Sequence, residues 1–197
     1  AKLCEAMTTT SCRSIVYAGT AGQHADSPSG EITSSPNTFY AATKQAADEM
    51  IDYYARKTGL NAITLKIYDS YGPYDTRRNF LSVLADAAHQ GKVLQASPGQ
   101  QKLHIIHVDD IIDGFIHAGN LLTSGNLPGR NSFALPSPNL ITVQELAQFW
   151  ISAVRSDVKI DWGAIPYRPA EVFIPWEGQS LPGWSPRIEL KDGLRTI

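Results

Sequence analysis

The chain has 197 residues, 43% of them hydrophobic and 18% charged, with a formal net charge of −2. That is apolar content enough for one packed domain, or one and a small second, without the charge excess that would draw the chain to nucleic acid or an anionic membrane surface. No apolar run approaches the roughly 20 residues needed to cross a bilayer, no basic-then-apolar leader is evident, and Cys4 and Cys12 form no metal pattern, so the expectation is a cytoplasmic protein with reduced thiols.

In chain order, residues 1–10 read as the end of a helix and residues 14–18 as a short buried strand. Residues 22–36 are rich in Ser, Pro and Gly and read as a loop. A helix is predicted over about 38–57, with Arg56 and Lys57 suited to its C-terminus and Gly59 to the position just beyond. Its Phe39, Thr43, Ala46, Ala47, Met50 and Tyr54 make the face expected to pack on a sheet. Residues 61–67 alternate Ile63, Leu65 and Ile67 as a strand, which Tyr71-Gly72-Pro73 breaks. A second helix is predicted over 79–90, ended by Gly91, and a strand over 102–108. Asp109 or Asp110 is expected to cap the helix that continues to about Leu122. Thr142-Val143-Gln144-Glu145 has the form of a capping box for a helix reaching about Val154. The tail carries Pro166, Pro169, Pro175, Pro182 and Pro186 and reads as irregular, closed by a short helix near 190–196; Trp150, Trp162, Trp176 and Trp184 are expected to pack a small C-terminal lobe. Strands alternating with helices imply βαβ units and a parallel sheet in the first half.

The chemistry concentrates near the start of the 38–57 helix. Tyr40 and Lys44 stand at i and i+4 and so share a face. A free phenol has a pKa of about 10, and a fixed ammonium beside a phenol favours the phenolate and eases proton exchange near neutrality. Thr20, leaving the first strand, offers a hydroxyl to polarise a carbonyl or alcohol. Together they are the minimum equipment for moving a proton while a hydride moves elsewhere. Tyr53 and Lys57 repeat the spacing, but they lie about 20 Å further along the helix, at a C-terminus that suits basic residues, and read as structural. His104 and His107 stand at i and i+3 on an apparent strand and face opposite ways, so no metal site is expected there.

The collinear order of strand, Gly19-Thr20, loop, Tyr40-x-x-x-Lys44, strand, Tyr71-Gly72-Pro73 and His107-Val108-Asp109-Asp110 resembles the extended short-chain dehydrogenase/reductase family of nucleotide-sugar epimerases, dehydratases and reductases. The similarity runs to Gly183-Trp184-Ser185-Pro186 and residues 190–194. The resemblance implies an α/β fold, the C-terminal part of a Rossmann-like parallel sheet with a smaller α+β substrate lobe. It divides the chain into residues 1–70, with 100–125 returning, for the dinucleotide-binding domain, and 71–99 with 126–197 for the nucleotide-sugar lobe. It implies Tyr40 as acid/base, Lys44 as its partner and Thr20 as the hydroxyl residue, with Ala18, Gly19, Tyr40, Lys44 and Ile67 beside NAD or NADP. The implied partner is a nucleoside-diphosphate sugar, and a homodimer is expected.

Departures from the family pattern narrow the reaction. Thr20 is followed by Ala21 and Gly22, neither of which titrates, where the dehydratases carry Asp and Glu to eliminate water. Reduction or epimerisation at a carbinol needs only Thr20, Tyr40 and Lys44. Asp69 stands where many epimerases carry Asn; an ionised carboxylate cannot donate, so Asp69 is expected to accept from a sugar hydroxyl or from Arg77. Leu103 stands where a phosphate-binding Arg is usual. Both changes look like the subgroup of CDP-abequose synthase and related 4-keto-6-deoxy-sugar reductases, with 4-epimerisation, or a non-catalytic sugar-nucleotide-binding remnant, as the alternatives. In Tyr167-Arg168-Pro169-Ala170-Glu171, the resemblance makes Arg168 a bidentate ligand of the diphosphate. Arg77-Arg78 is either a solvated loop or a second phosphate contact.

A strand, a G-x-G-x-x-G turn and a helix should open a dinucleotide-binding unit. Gly19-Thr20-Ala21-Gly22 follows a strand but leads into the loop, with no helix N-terminus to receive pyrophosphate. By the resemblance, the elements carrying the adenosine end of the cofactor are absent. The chain alone is then expected to bind NAD or NADP weakly or not at all, and to expose a sheet edge that invites self-association.

Overall fold

In the computed structural model, which describes residues 1–27 and 33–197, the elements follow as α1 (Lys2–Thr8), β1 (Ser14–Thr20), α2 (Phe39–Thr58), β2 (Asn61–Ile67), β3 (Asp69–Tyr71), α3 (Phe80–Gln90), β4 (Leu94–Ala96), β5 (Lys102–Leu103), β6 (Ile105–His107), α4 (Val108–Thr123), β7 (Arg130–Leu135), β8 (Ile141–Thr142), α5 (Val143–Val154), β9 (Ile160–Trp162) and α6 (Leu190–Gly193). Part of the loop expected over 22–36 lies outside the described residues; its start, Ala21–His24, is a short 3-10 turn. No described helix is long and apolar enough to cross a membrane.

The chain divides into two compact units. The first comprises Ala1–Tyr68, Asp110–Pro136 and Trp176–Ser185. Its parallel sheet has the order β1-β2-β7, with Thr20 opposite Ile67 and Ile67 opposite Leu135 at the carboxyl ends. As the central strand, β2 is covered on both faces, and Ala62, Ile63, Thr64, Leu65 and Lys66 are all buried. α2 begins where the Thr38 hydroxyl accepts from the Ala41 N–H, and it stops at Gly59, whose left-handed φ of 68° costs a glycine little.

The buried face of α2 differs from the expected one. It runs through Ala41, Asp48, Ile51 and Ala55, while Phe39 is 86% exposed and Met50 46% exposed. The cause is Asp48: a carboxylate reads as a solvent residue until its ion-pair partners, on β2 and β7, are known. A second correction concerns Asp109 and Asp110. They lie inside the first turn of α4, which starts at Val108 directly after β6, so neither caps it. A third concerns the tryptophans. Trp176 and Trp184 belong to the first unit because residues 176–185 return to the sheet, where Ser180 bridges to Ala134 of β7. There Trp176 stacks on His24, with ring centroids 4.1 Å apart.

The second unit comprises Asp69–Asp109, Ser137–Pro175 and Pro186–Ile197. Three short strand pairs, β3-β6 and β4-β9 parallel and β5-β8 antiparallel, accompany α3 and α5. Leu81, Leu84, Ile105, Leu146, Trp150 and Leu194 make its core. The Thr142–Glu145 capping box forms as expected, and a second box, Asn79–Ser82, starts α3.

Candidate active site

Parallel α/β sheets bind ligands beyond the carboxyl ends of their strands, and the last residues of β1 and β2 carry most of the expected first-unit positions. Thr20 ends β1 in extended conformation (φ −142°, ψ 144°) and caps the 3-10 turn, its hydroxyl accepting from the Gly22 N–H at 3.2 Å. A hydroxyl has one donor and two acceptor lone pairs, so this contact occupies an acceptor and leaves the O–H able to donate. A side chain placed at Gly22 would meet both the Thr20 Oγ1, at 3.5 Å, and Ala41 at 3.6 Å. The first turn of α2 therefore packs beside the Thr20 hydroxyl.

Tyr40 sits in that turn with 61% of its surface exposed. The Lys44 Nζ donates to the Ala18 carbonyl at 3.0 Å and lies 5.7 Å from the centroid of the Tyr40 ring and 5.4 Å from that of Tyr17. Thus Ala18, Gly19, Thr20, Tyr40, Lys44 and Ile67 all lie in the first unit, gathered at the strand ends and the adjoining turn of α2. Two other phenols of this unit, Tyr17 and Tyr68, are poor proton carriers. Burial, the Asp48 carboxylate and Tyr40 push the Tyr17 phenol up. Burial drives Tyr68 up to about 12, its hydroxyl donating to the Trp176 carbonyl at 2.7 Å.

Beneath Gly19 lies a buried polar cluster that hydrophobic patterning did not find. Asp48 accepts from Lys66 Nζ (2.7 Å), Thr64 Oγ1 (2.6 Å), Gln23 Nε2 (3.2 Å) and the Arg130 guanidinium. Burial alone would push the Asp48 carboxyl up, but Lys66, Arg130 and the bonds from Lys66 and Thr64 outweigh it and hold the carboxyl below its ordinary value. Burial pulls the Lys66 ammonium down; Asp48 offsets this only in part, and the like charge of Arg130 adds to the lowering. A Cβ at Gly19 would fall 2.7 Å from Thr64 Cγ2 and 2.8 Å from Gln23 Oε1, so the cluster fits only beneath a glycine. The sequence holds two signals for it: Asp48 is one further turn beyond Lys44 on the Tyr40 face, and Lys66 interrupts an otherwise apolar strand.

Asp69, Arg77 and Arg168 lie in the second unit. Asp69 is solvent-accessible yet ringed by protein, and this desolvation pushes its carboxyl up against the opposing pull of Arg168 and Arg77. Arg77 bonds both Asp75 oxygens (2.8 and 2.6 Å) and the carbonyl and hydroxyl of Ser70, at 3.0 Å each. Those bonds hold the Asp75 carboxyl down to about 2. Arg168 pairs in bidentate fashion with Glu171, both contacts 3.1 Å, while its own side chain stays 83% exposed. Tyr53, half-exposed, meets Tyr54 edge-on. Among the described residues, no three His, Cys, Asp or Glu side chains group as metal ligands would.

Residues 1–129 match the model of the family described as NAD dependent epimerase/dehydratase. The chain belongs to this family. Over 137 residues this family member is 31% identical to CDP-abequose synthase of Yersinia pseudotuberculosis, a match covering 69% of the chain and 46% of that relative. It is 25% identical over 160 residues to UDP-glucuronic acid decarboxylase 3 of Arabidopsis thaliana, covering 79% and 45% respectively. The chain thus spans about half the length of these curated relatives. Among solved structures, UDP-glucuronic acid 4-epimerase from Bacillus cereus, in complex with UDP-glucuronic acid and NAD, superposes with a TM-score of 0.86 at 19% identity, over 99% of this chain and 63% of that one. At that identity the likeness is one of fold, the Rossmann-like α/β architecture.

Proposed function

We propose that this epimerase/dehydratase-family chain carries the proton-transfer and sugar-nucleotide half of an NAD(P)-dependent oxidoreductase, one that reduces a nucleoside-diphosphate 4-keto-6-deoxy sugar. The observation that carries the reading is the exposed Tyr40 phenol, with the Lys44 ammonium 5.7 Å from its ring centroid, in the helix turn that packs beside the Thr20 hydroxyl at the carboxyl end of a parallel sheet. A phenol, an ammonium with donors to spare and a hydroxyl suit the nicotinamide-ribose end of a dinucleotide, with Ala18, Gly19 and Ile67 as its floor. The cofactor's contribution is hydride exchange at a carbinol carbon.

The chain's own residues manage the oxygen. Thr20 donates its free O–H to the substrate carbonyl and fixes its direction. Tyr40 gives its proton to that oxygen as the carbonyl becomes an alcohol, and the resulting phenolate recovers a proton from solvent. The positive charge of Lys44 favours the transient phenolate. Dehydration is disfavoured because Ala21, Gly22 and Gln23 supply no second acid or base beside Thr20. In the second unit, Arg168 leaves Glu171 to clasp the diphosphate, and Asp69 with Arg77 meets the sugar or phosphate edge.

A 4-epimerase would use the same three residues, and UDP-glucuronate 4-epimerase 1 of Arabidopsis thaliana is 25% identical to this chain over 183 residues. The natural polypeptide containing this segment, incubated with NADPH or NADH and nucleoside-diphosphate 4-keto-6-deoxy sugars, separates the readings. Net consumption of the reduced cofactor, one per sugar converted, is expected. Sugar conversion without net consumption would establish the epimerase, and sugar-nucleotide binding without any turnover would establish a non-catalytic binding module.

A further inference from the structure

Gln23 is fully buried, yet it closes a capping box of the kind usually found at the surface. Its Oε1 accepts the Thr20 backbone N–H at 2.9 Å, which fixes the orientation of the amide: the nitrogen must point the other way. That nitrogen donates to two side chains of α2, Gln45 Oε1 at 2.6 Å and Asp48 Oδ2 at 3.2 Å. Gln45 in turn donates to Glu49 at 2.7 Å, so the chain of donors runs in one sense from Thr20 to α2. Asp48 is itself anchored to β2 through Thr64 and Lys66 and to β7 through Arg130.

From this we infer that Gln23 is a positioning residue: one buried amide ties the end of β1 to α2 and so fixes the separation between the Thr20 hydroxyl and the Tyr40 phenol. The inference rests on the oxidoreductase reading of Thr20 and Tyr40. Asp48 stands on the Tyr40–Lys44 face, so its anchors set how α2 slides and rotates against the sheet, while Gln23 sets where Thr20 sits relative to α2. Without the amide, the Thr20 N–H loses its acceptor and the hydroxyl is free to drift. A drift on the order of an ångström costs up to a hundredfold in rate when it misaligns a reacting group.

A double-mutant cycle on the natural polypeptide, assayed with nucleoside-diphosphate 4-keto sugar and reduced cofactor, tests this. Gln23→Met keeps the volume and removes every bond of the amide. It is expected to lower kcat about tenfold with KM changed less than about twofold, and to cost less than about twofold once Thr20→Ala is already present, because a group that acts through the Thr20 hydroxyl has nothing left to position. A merely structural role would lower turnover by the same factor in both backgrounds, and that outcome, or full activity of the single variant, overturns the inference. Should Gln23→Met fail to fold, Gln45→Ala removes one of the two acceptors from the same amide. Its loss of about threefold must likewise vanish beside Thr20→Ala, and persistence there would overturn the inference too. Wild-type turnover in both Thr20→Ala and Tyr40→Phe would instead sink the site reading beneath it, an outcome distinct from the failure of Gln23 alone.

Discussion

A phenol can pass protons only where water and substrate reach it, and the tyrosines near the sheet differ in this respect. Tyr68 is pinned to a backbone carbonyl and pushed up to about 12, while Tyr40 is 61% exposed beside an ammonium. The same contrast of environment governs Asp69. Desolvation raises its carboxyl above the ordinary carboxylate value, and Arg168 and Arg77 only partly counter this. Below its shifted pKa the group is neutral and able to donate to a phosphate or sugar oxygen. As pH rises through that value, a negative charge appears beside the two guanidiniums that would hold the diphosphate. Affinity for the nucleotide sugar should therefore weaken as pH rises through that raised value, and Asp69→Asn should flatten that trend. Titration calorimetry on either side of it checks this, and an unchanged slope in the variant would remove Asp69 from the substrate site.

At the scale of elements, α2 is held to the sheet by a carboxylate shared between two cations, so its attachment depends on charge as well as packing. The Asp48 carboxyl is held below its unfolded value of about 3.9, so its contribution to stability is complete above that pH and is lost as pH falls through the native pKa. Asp48→Ala should cost about 3–5 kcal/mol by leaving Lys66 buried without its partner. Adding Lys66→Met should restore part of that loss, because no unpaired ammonium then remains on β2. Denaturant melts of the single and double variants measure both effects, and a double variant weaker than Asp48→Ala would show that packing, not charge, governs the site. The same residues explain what was legible beforehand. β2, α2, α3 and α5 announce themselves through periodicity, caps and the glycines that end them, and the Tyr40, Lys44 and Thr20 set stands out from its spacing and order. The packing face of α2 did not, since a buried aspartate carries the wrong polarity for a hydrophobic stripe. β7 opens with Arg130-Asn131-Ser132 and shows no apolar alternation, and β3, β4, β8 and β9 have at most three residues each, too few for a period to register. Gln23 escaped because an amide in a Ser- and Pro-rich stretch reads as loop until both of its ends are seen to be bonded.

At the scale of the molecule, β1 is an edge strand of the first unit's sheet among the described residues, and the chain covers 46% of CDP-abequose synthase and 63% of the Bacillus cereus epimerase structure. The first unit holds the groups that would move a proton, and the second holds the guanidiniums that would grip a sugar nucleotide. The family is described as NAD dependent, and proton transfer by Tyr40 is the step on which the proposed reaction turns. The most direct measurement is steady-state turnover of the natural polypeptide bearing Tyr40→Phe, with a nucleoside-diphosphate 4-keto sugar and reduced cofactor. A fall in kcat of about 10²–10⁴-fold, with the melting temperature and substrate KM essentially unchanged, is the predicted result; turnover at the wild-type rate would contradict it.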